Sequence, residues 1–118
     1  MRITLEKSRK FAIRIYNLYK HLSEEKREFV LARQLLRSGT SIGANLTEVQ
    51  YAVSRKDFLA KATISLKEAA ETEYWLDLLE ETSLLTATEY KSMNNDCEEL
   101  LRLLVSTIKT LKQQTNSK

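Results

Sequence analysis

No proline occurs in this chain, and glycine occurs only twice, at Gly39 and Gly43. Proline breaks helix interiors, and glycine is the next most damaging residue there. A chain nearly free of both can hold long, uninterrupted helices. The expected fold is all-α, with helices longer than the usual ~11–12 residues.

Four segments phase as helices. The first runs from about Leu5 to Leu22, with Thr4 as its expected N-cap. Phe11, Ala12, Ile15, Leu18, Tyr19 and Leu22 recur every three or four residues and form one apolar stripe. The second starts after Ser23, with Glu24 and Glu25 in its first turn, where acids complement the helix dipole. Phe29, Ala32, Leu35, Leu36, Ile42 and Leu46 form its stripe. That stripe resumes in phase after Gly39, so one continuous helix is expected, with the glycines allowing a neighbour to approach closely. The alternative is a break at Arg37-Ser38-Gly39-Thr40-Ser41. The third helix begins at Ser54-Arg55-Lys56-Asp57, which resembles a capping box flanked by a Val53/Phe58 staple, and runs to about Glu81. The fourth opens on the full capping box Thr86-Ala87-Thr88-Glu89. Tyr90, Met93, Cys97, Leu100, Leu104, Ile108 and Leu111 then form a heptad-like seam. A polar tail is expected from about Gln113 to Lys118. Links near Leu22-Ser23, Tyr51-Ala52-Val53 and Thr82–Leu85 are short, and short links enforce antiparallel neighbours. The predicted architecture is a single domain over residues 1–118, an antiparallel up-down-up-down four-helix bundle.

The third helix carries a second apolar face. Phe58, Ala62, Leu66, Ala69 and Leu76 share one side; Ile64, Trp75 and Leu78 lie nearly opposite, with Tyr74 beside them. A surface helix of a monomer needs only one apolar stripe. The second face is therefore expected to be a subunit interface, with Trp75 as its anchor. Scattered exposed apolar residues are the plainer alternative. Glu73 falls within the core stripe of the same helix. A buried carboxylate must be neutral, paired or hydrogen-bonded. Asn45 and Glu48 are the candidate partners in a buried polar layer, as a device for packing specificity rather than a ligand site.

Several chemistries lack their residues. Di-iron bundles need Glu-x-x-His pairs, and His21 is the single histidine. No Ser–His–Asp spacing and no phosphate-cradling glycine loop occur. Cys97 is alone, so the chain forms no internal disulfide and no multi-cysteine metal site. Glu68, Glu71, Asp77, Glu80 and Glu81 read as a solvated acidic face rather than a cation site. No enzyme activity, cofactor or metal is expected. The first residues lack a signal-peptide core and no stretch suits a bilayer span, so a reducing, cytoplasmic location is expected.

Charge is unevenly placed. Residues 1–61 hold 13 Lys/Arg against 6 Asp/Glu, a balance of +7; residues 62–118 hold 6 against 10, a balance of −4. Such asymmetry attracts polyanions to one side or lets copies dock. Lys26, Arg33 and Arg37 lie off the core stripe of the second helix. Lys7, Lys10 and Arg14 flank that of the first, and Arg55 and Lys56 open the third. Phosphate contacts need only such an array. The leading expectation is a non-enzymatic oligomer that binds RNA or DNA through this surface. A protein scaffold or adaptor is the alternative.

The residues also carry a family likeness. Arg37-Ser38-Gly39-Thr40-Ser41-Ile42-Gly43-Ala44-Asn45-Leu46-Thr47-Glu48 is one signature. Ser54-Arg55-Lys56-Asp57-Phe58 and Ser65-Leu66-Lys67-Glu68-Ala69-Ala70-Glu71-Thr72-Glu73-Tyr74-Trp75-Leu76 are two more. Together they resemble the four-helix bundle proteins encoded in intervening sequences of bacterial 23S rRNA genes. The resemblance implies a ring-like homopentamer. It also implies kinship with the accessory variability protein of diversity-generating retroelements, a basic pentamer associated with nucleic acid and a reverse transcriptase. It implies no catalytic residues.

Overall fold

The computed structural model describes residues 1–116. Four α-helices make up the bundle: α1 (Arg2–Lys20), α2 (Val30–Val49), α3 (Arg55–Glu81) and α4 (Ala87–Asn116). It is a rod of 53 × 23 × 21 Å. The contacts define the topology. Ile15 of α1 meets Gly39 of α2, while Ser8 meets Gly43, so the two helices run antiparallel. Ser65 of α3 bonds Ile42, and Thr72 bonds Ser38. Cys97 of α4 reaches Ala69, and Tyr90 reaches Asp77. Arg14 and Lys7 of α1 reach Asp96 and Glu99, which closes the ring of four. Among the described residues no helix is long and apolar enough to cross a membrane.

The core follows the predicted stripes. Phe11, Ile15, Leu22, Leu35, Ile42, Leu46, Leu76, Leu79, Leu100 and Leu104 are essentially sealed from water. Each such side chain contributes ~1.5–3 kcal/mol of burial. α2 is continuous through both glycines. Gly39 explains why: a Cβ there would stand 2.8 Å from two carbons of Ile15. The missing side chain is the space that α1 occupies.

The capping chemistry is as read at two helix starts. Ser54 Oγ accepts the Asp57 N–H at 3.0 Å, and the Asp57 carboxylate accepts from Val53 N. Thr86 Oγ1 accepts from Glu89 N while Glu89 Oε1 accepts from Thr86 N, the full reciprocal box. α3 ends on Ser83 at φ 64°, with the Leu84 N–H reaching back to the Leu79 carbonyl. That is a Schellman closure made without glycine.

Three expectations are corrected. Thr4 is not a cap: α1 starts at Arg2, and Thr4 is buried inside its first turn. The first helical run does not stop at Ser23. It continues through a wider i→i+5 turn, His21–Glu25, because the Ser23 hydroxyl bonds back to the Tyr19 carbonyl instead of capping a new helix. Glu24 and Glu25 therefore close the first rod. The reversal lies at Lys26–Phe29, where Arg27 takes φ 57° and the Glu28 N–H returns to Leu22 O. The Glu28 carboxylate then caps Leu31 N at 2.6 Å. Finally, α4 carries the expected tail in helical form as far as Asn116; residues 117–118 lie outside the described residues.

Candidate functional site

The basic residues do not gather into one patch. Lys7 and Arg14 leave α1 on the side of α4. Lys7 lies 3.2 Å from Glu99, and Arg14 donates to Asp96 at 2.6 Å and to Ser92. Arg37 leaves α2 on the side of α3 and pairs with Glu68 and Glu71. These three cations fasten helix to helix. Lys10, Lys26, Arg33, Arg55 and Lys56 are exposed, and among the described residues none makes a salt bridge. Lys26 and Arg33 stand near the α1–α2 reversal. Arg55 and Lys56 stand at the other end of the rod. Arg55 lies on the rim of an open apolar groove of about 890 Å³ between Leu5, Val49, Val53 and Phe58.

Two more groups lie outside the apolar stripes, and a third, Phe29, expected in the α2 core stripe, is exposed because it precedes the first turn of α2. Arg9 is exposed on α1 and makes no salt bridge among the described residues. Tyr16 is half exposed, with Lys20 Nζ 5.9 Å from its ring centre. Phe29 is 41% exposed, with the Arg27 guanidinium 5.5 Å from its ring. The i,i+4 spacing of Tyr16 and Lys20 is the available signal for the first of these pairs. The second depends on the left-handed Arg27, which no local pattern announces.

The outer face of α3 divides. Ile64 is 44% and Tyr74 57% exposed. Leu78 is half-buried. Trp75 packs partly against its own core and donates its indole N–H to Glu71 at 3.0 Å. That bond, followed by the Arg37 pairing, holds the Glu71 carboxyl below its ordinary range. Tyr74 meets Trp75 edge-on, with centroids 4.9 Å apart.

Asn45, Glu48 and Glu73 are not brought together. Asn45 turns back to the Ser41 carbonyl and Glu48 takes Lys61, so neither reaches Glu73. Glu73 sits at the α3–α4 border beside Asn94, whose amide favours the ionised carboxylate. Burial pushes its carboxyl above the ordinary range, and the Asp77 and Glu98 carboxylates push the same way. Asn94 is 8% exposed; its amide N–H donates to Glu98 at 2.7 Å, while its Oδ1 has no donor. Beneath this cluster the Cys97 thiol donates to the Ala69 carbonyl, and burial pushes its pKa up to about 12. The Asp77 carboxylate takes the Tyr90 hydroxyl, which raises the tyrosine. Among the described residues no group of three or more His, Cys, Asp or Glu side chains has the geometry to hold a metal ion.

Comparison with known proteins places this bundle. No curated protein matches the chain. A crystal structure from Bacteroides thetaiotaomicron, described as a protein with unknown function from the S23 ribosomal protein family, is 55% identical. The match covers 92% of this chain and 96% of that one, with a TM-score of 0.90. The model of the family described as 23S rRNA-intervening sequence protein matches residues 3–106. With nearly the whole bundle inside that match, the chain belongs to the 23S rRNA-intervening sequence protein family.

Proposed function

We propose that this protein is a non-catalytic cytoplasmic oligomer that binds RNA or DNA through the basic surface of α1 and α2. The observation that carries the reading is where unpaired charge is left. Once Lys7, Arg14 and Arg37 are spent between helices, Arg9, Lys10, Lys26 and Arg33 remain in solvent on α1, the reversal and α2. The second half of the chain keeps the net negative balance. A polyanion is therefore drawn to one side of the rod. Phosphate contacts of this kind weaken steeply as salt rises. A gel-shift titration with structured RNA and duplex DNA at ~50 mM salt tests it; no shift with either would refute it.

Self-association is part of the same proposal. Ile64 and Tyr74 leave apolar surface exposed on α3, next to Leu78 and Trp75. A homopentamer joined through this face is the assembly we propose. Native mass measurement tests it, and a monomer at micromolar concentration would refute it. The same exposed face favours a protein adaptor as the second reading. Pull-down from a bacterial lysate with and without nuclease separates the two, because an adaptor keeps its partners after nuclease treatment.

A further inference from the structure

Two aromatic rings stand in solvent near the α1–α2 reversal, each with a cation already placed over it. Lys20 lies over Tyr16, which also stacks beside Tyr19 with centroids 6.5 Å apart, and Arg27 lies over Phe29. Among the described residues neither cation makes a salt bridge, and neither does Arg33, one turn beyond Phe29. Of the carboxylates at this end, Glu25 takes His21, Glu28 caps α2, Glu89 feels the charge of Lys26, and Glu24 is exposed. Arg27 sits in the left-handed region at φ 57°. A non-glycine residue rarely adopts that conformation, so the reversal sets the direction in which the Arg27 side chain leaves the backbone.

The register locates the rings. Ile15 points into Gly39, and Arg14, one residue back, reaches α4. Tyr16, one residue on, is therefore turned to the flank away from α4. It lies level with residue 38 of α2, about nine residues below Phe29. At ~1.5 Å per residue the rings are separated by ~13 Å along the rod. That is no more than about four nucleotides at the ~3.4 Å rise of a duplex strand, and fewer in an extended one.

We infer that this face binds single-stranded nucleic acid, with bases stacked on Tyr16 and Phe29 and phosphates held by Lys20, Arg27 and Arg33. The inference rests on the nucleic-acid reading above and narrows it. Base faces are buried in a duplex and free in a single strand. Exposed rings interleaved with unpaired cations fit the second. A protein partner would have to bury the same cations without phosphates to neutralise them.

Fluorescence anisotropy with a short labelled single-stranded RNA, and with the same strand annealed to its complement, tests the inference. Tyr16→Ala and Phe29→Ala should each weaken single-strand binding by about tenfold, the size of one lost base stack. Tyr16→Phe and Phe29→Tyr should restore it, because a ring is kept. Duplex binding should be unchanged in all four. Circular dichroism checks that each variant keeps its helices. Wild-type-like single-strand binding by the Ala variants, with Arg33→Gln weakening both probes, would overturn stacking and leave the basic-surface reading intact. A wild-type protein that binds neither probe would overturn both. A drop in native mass in the Ala variants would assign the rings to contacts between copies, and would overturn the inference too.

Discussion

Replacing Gly39 with alanine should destabilise the bundle, against the helix-propensity trend. A Cβ at this position stands 2.8 Å from Cγ1 and Cγ2 of Ile15 and 3.0 Å from its Cδ1. Carbon atoms prefer ~3.5–4.0 Å, so three contacts must each open by about 0.5–1 Å. Ile15 is wholly buried and β-branched, so it cannot turn aside. The whole of α1 has to back away from α2. Overpacking of this kind costs ~1–3 kcal/mol, while alanine returns ~1 kcal/mol of helix propensity. The net loss should be up to about 2 kcal/mol, a fall in Tm of up to roughly 8 °C for a chain this size. Gly43→Ala is the control. Its Cβ meets only the Ser8 side chain closely, with Oγ at 3.0 Å, and the expected change is within ~0.5 kcal/mol. Thermal melts at one fixed concentration read the difference, since oligomer stability depends on concentration. A double-mutant cycle with Ile15→Ala isolates the contact. Alone, that truncation should cost ~2–5 kcal/mol. Combined with Gly39→Ala it should show a favourable coupling of about 1–3 kcal/mol, because the new methyl enters the vacated space. A Gly39→Ala protein that melts at or above wild type, or simple additivity in the cycle, would refute the close-approach account.

Four further outcomes are expected. Glu73→Gln should raise stability by up to about 1 kcal/mol at neutral pH, because a neutral amide avoids burying a charge beside Asp77 and Glu98. The native state binds the Glu73 proton more tightly than the unfolded chain does. Wild-type stability from this group is thus full below ordinary carboxylate pH and is lost as pH rises through the raised value. Urea melts across that range should show the loss in wild type and not in the glutamine variant; parallel curves would reject the assignment. Ser83→Gly should stabilise by up to ~1 kcal/mol, since φ 64° suits glycine, and a destabilised variant would show that the serine side chain matters there. Cys97 should resist alkylation in the native state, its thiol being buried with a pKa pushed up to about 12. Its labelling rate in mass spectrometry should follow global unfolding, and rapid labelling of folded protein would contradict the burial. Ile64→Asp should lower the native mass in light scattering, and an unchanged mass would remove the outer face of α3 from the assembly.

What can be read in advance is local or periodic. The Thr86–Glu89 box, the Ser54 cap, the unbroken α2 and the four stripes all depend on residues within a turn or two of one another. The first rod ends later than its pattern predicts because Ser23 has the chemistry of a cap and uses it on Tyr19 instead. The true reversal is held by Arg27 in a glycine-like conformation, for which arginine gives no local signal. The polar neighbour of Glu73 is also out of reach of a local pattern. It lies on α4, and choosing Asn94 over Asn45 requires knowing how α3 is rotated between its two neighbours. The same applies to the basic residues. Whether Arg14 is free depends on Asp96, and whether Arg37 is free depends on Glu68 and Glu71. Lysine and arginine counts cannot separate the cations that face solvent from those that join helices.

The small hydroxyls between α2 and α3 have a consequence beyond the bonds themselves. Ser38, Ser65 and Thr72 are fully buried. Ser65 donates to the Ile42 carbonyl at 2.9 Å, and the Thr72 and Ser38 hydroxyls are bonded at 2.9 Å. Two helices in contact only through alanine and leucine can slide by a turn, ~5.4 Å, and still find apolar neighbours. Here a slide would take Ser65 from the Ile42 carbonyl, at ~1–3 kcal/mol, and part Thr72 from Ser38, which keep only the carbonyls of their own helices. The seam therefore acts as a gauge block: it penalises wrong alignments more than it strengthens the right one. It keeps Arg37 opposite Glu68 and Glu71, and it keeps the outer face of α3 at one fixed offset from the basic surface of α2. Ser65→Ala can leave the melting temperature almost unchanged and still blur that offset.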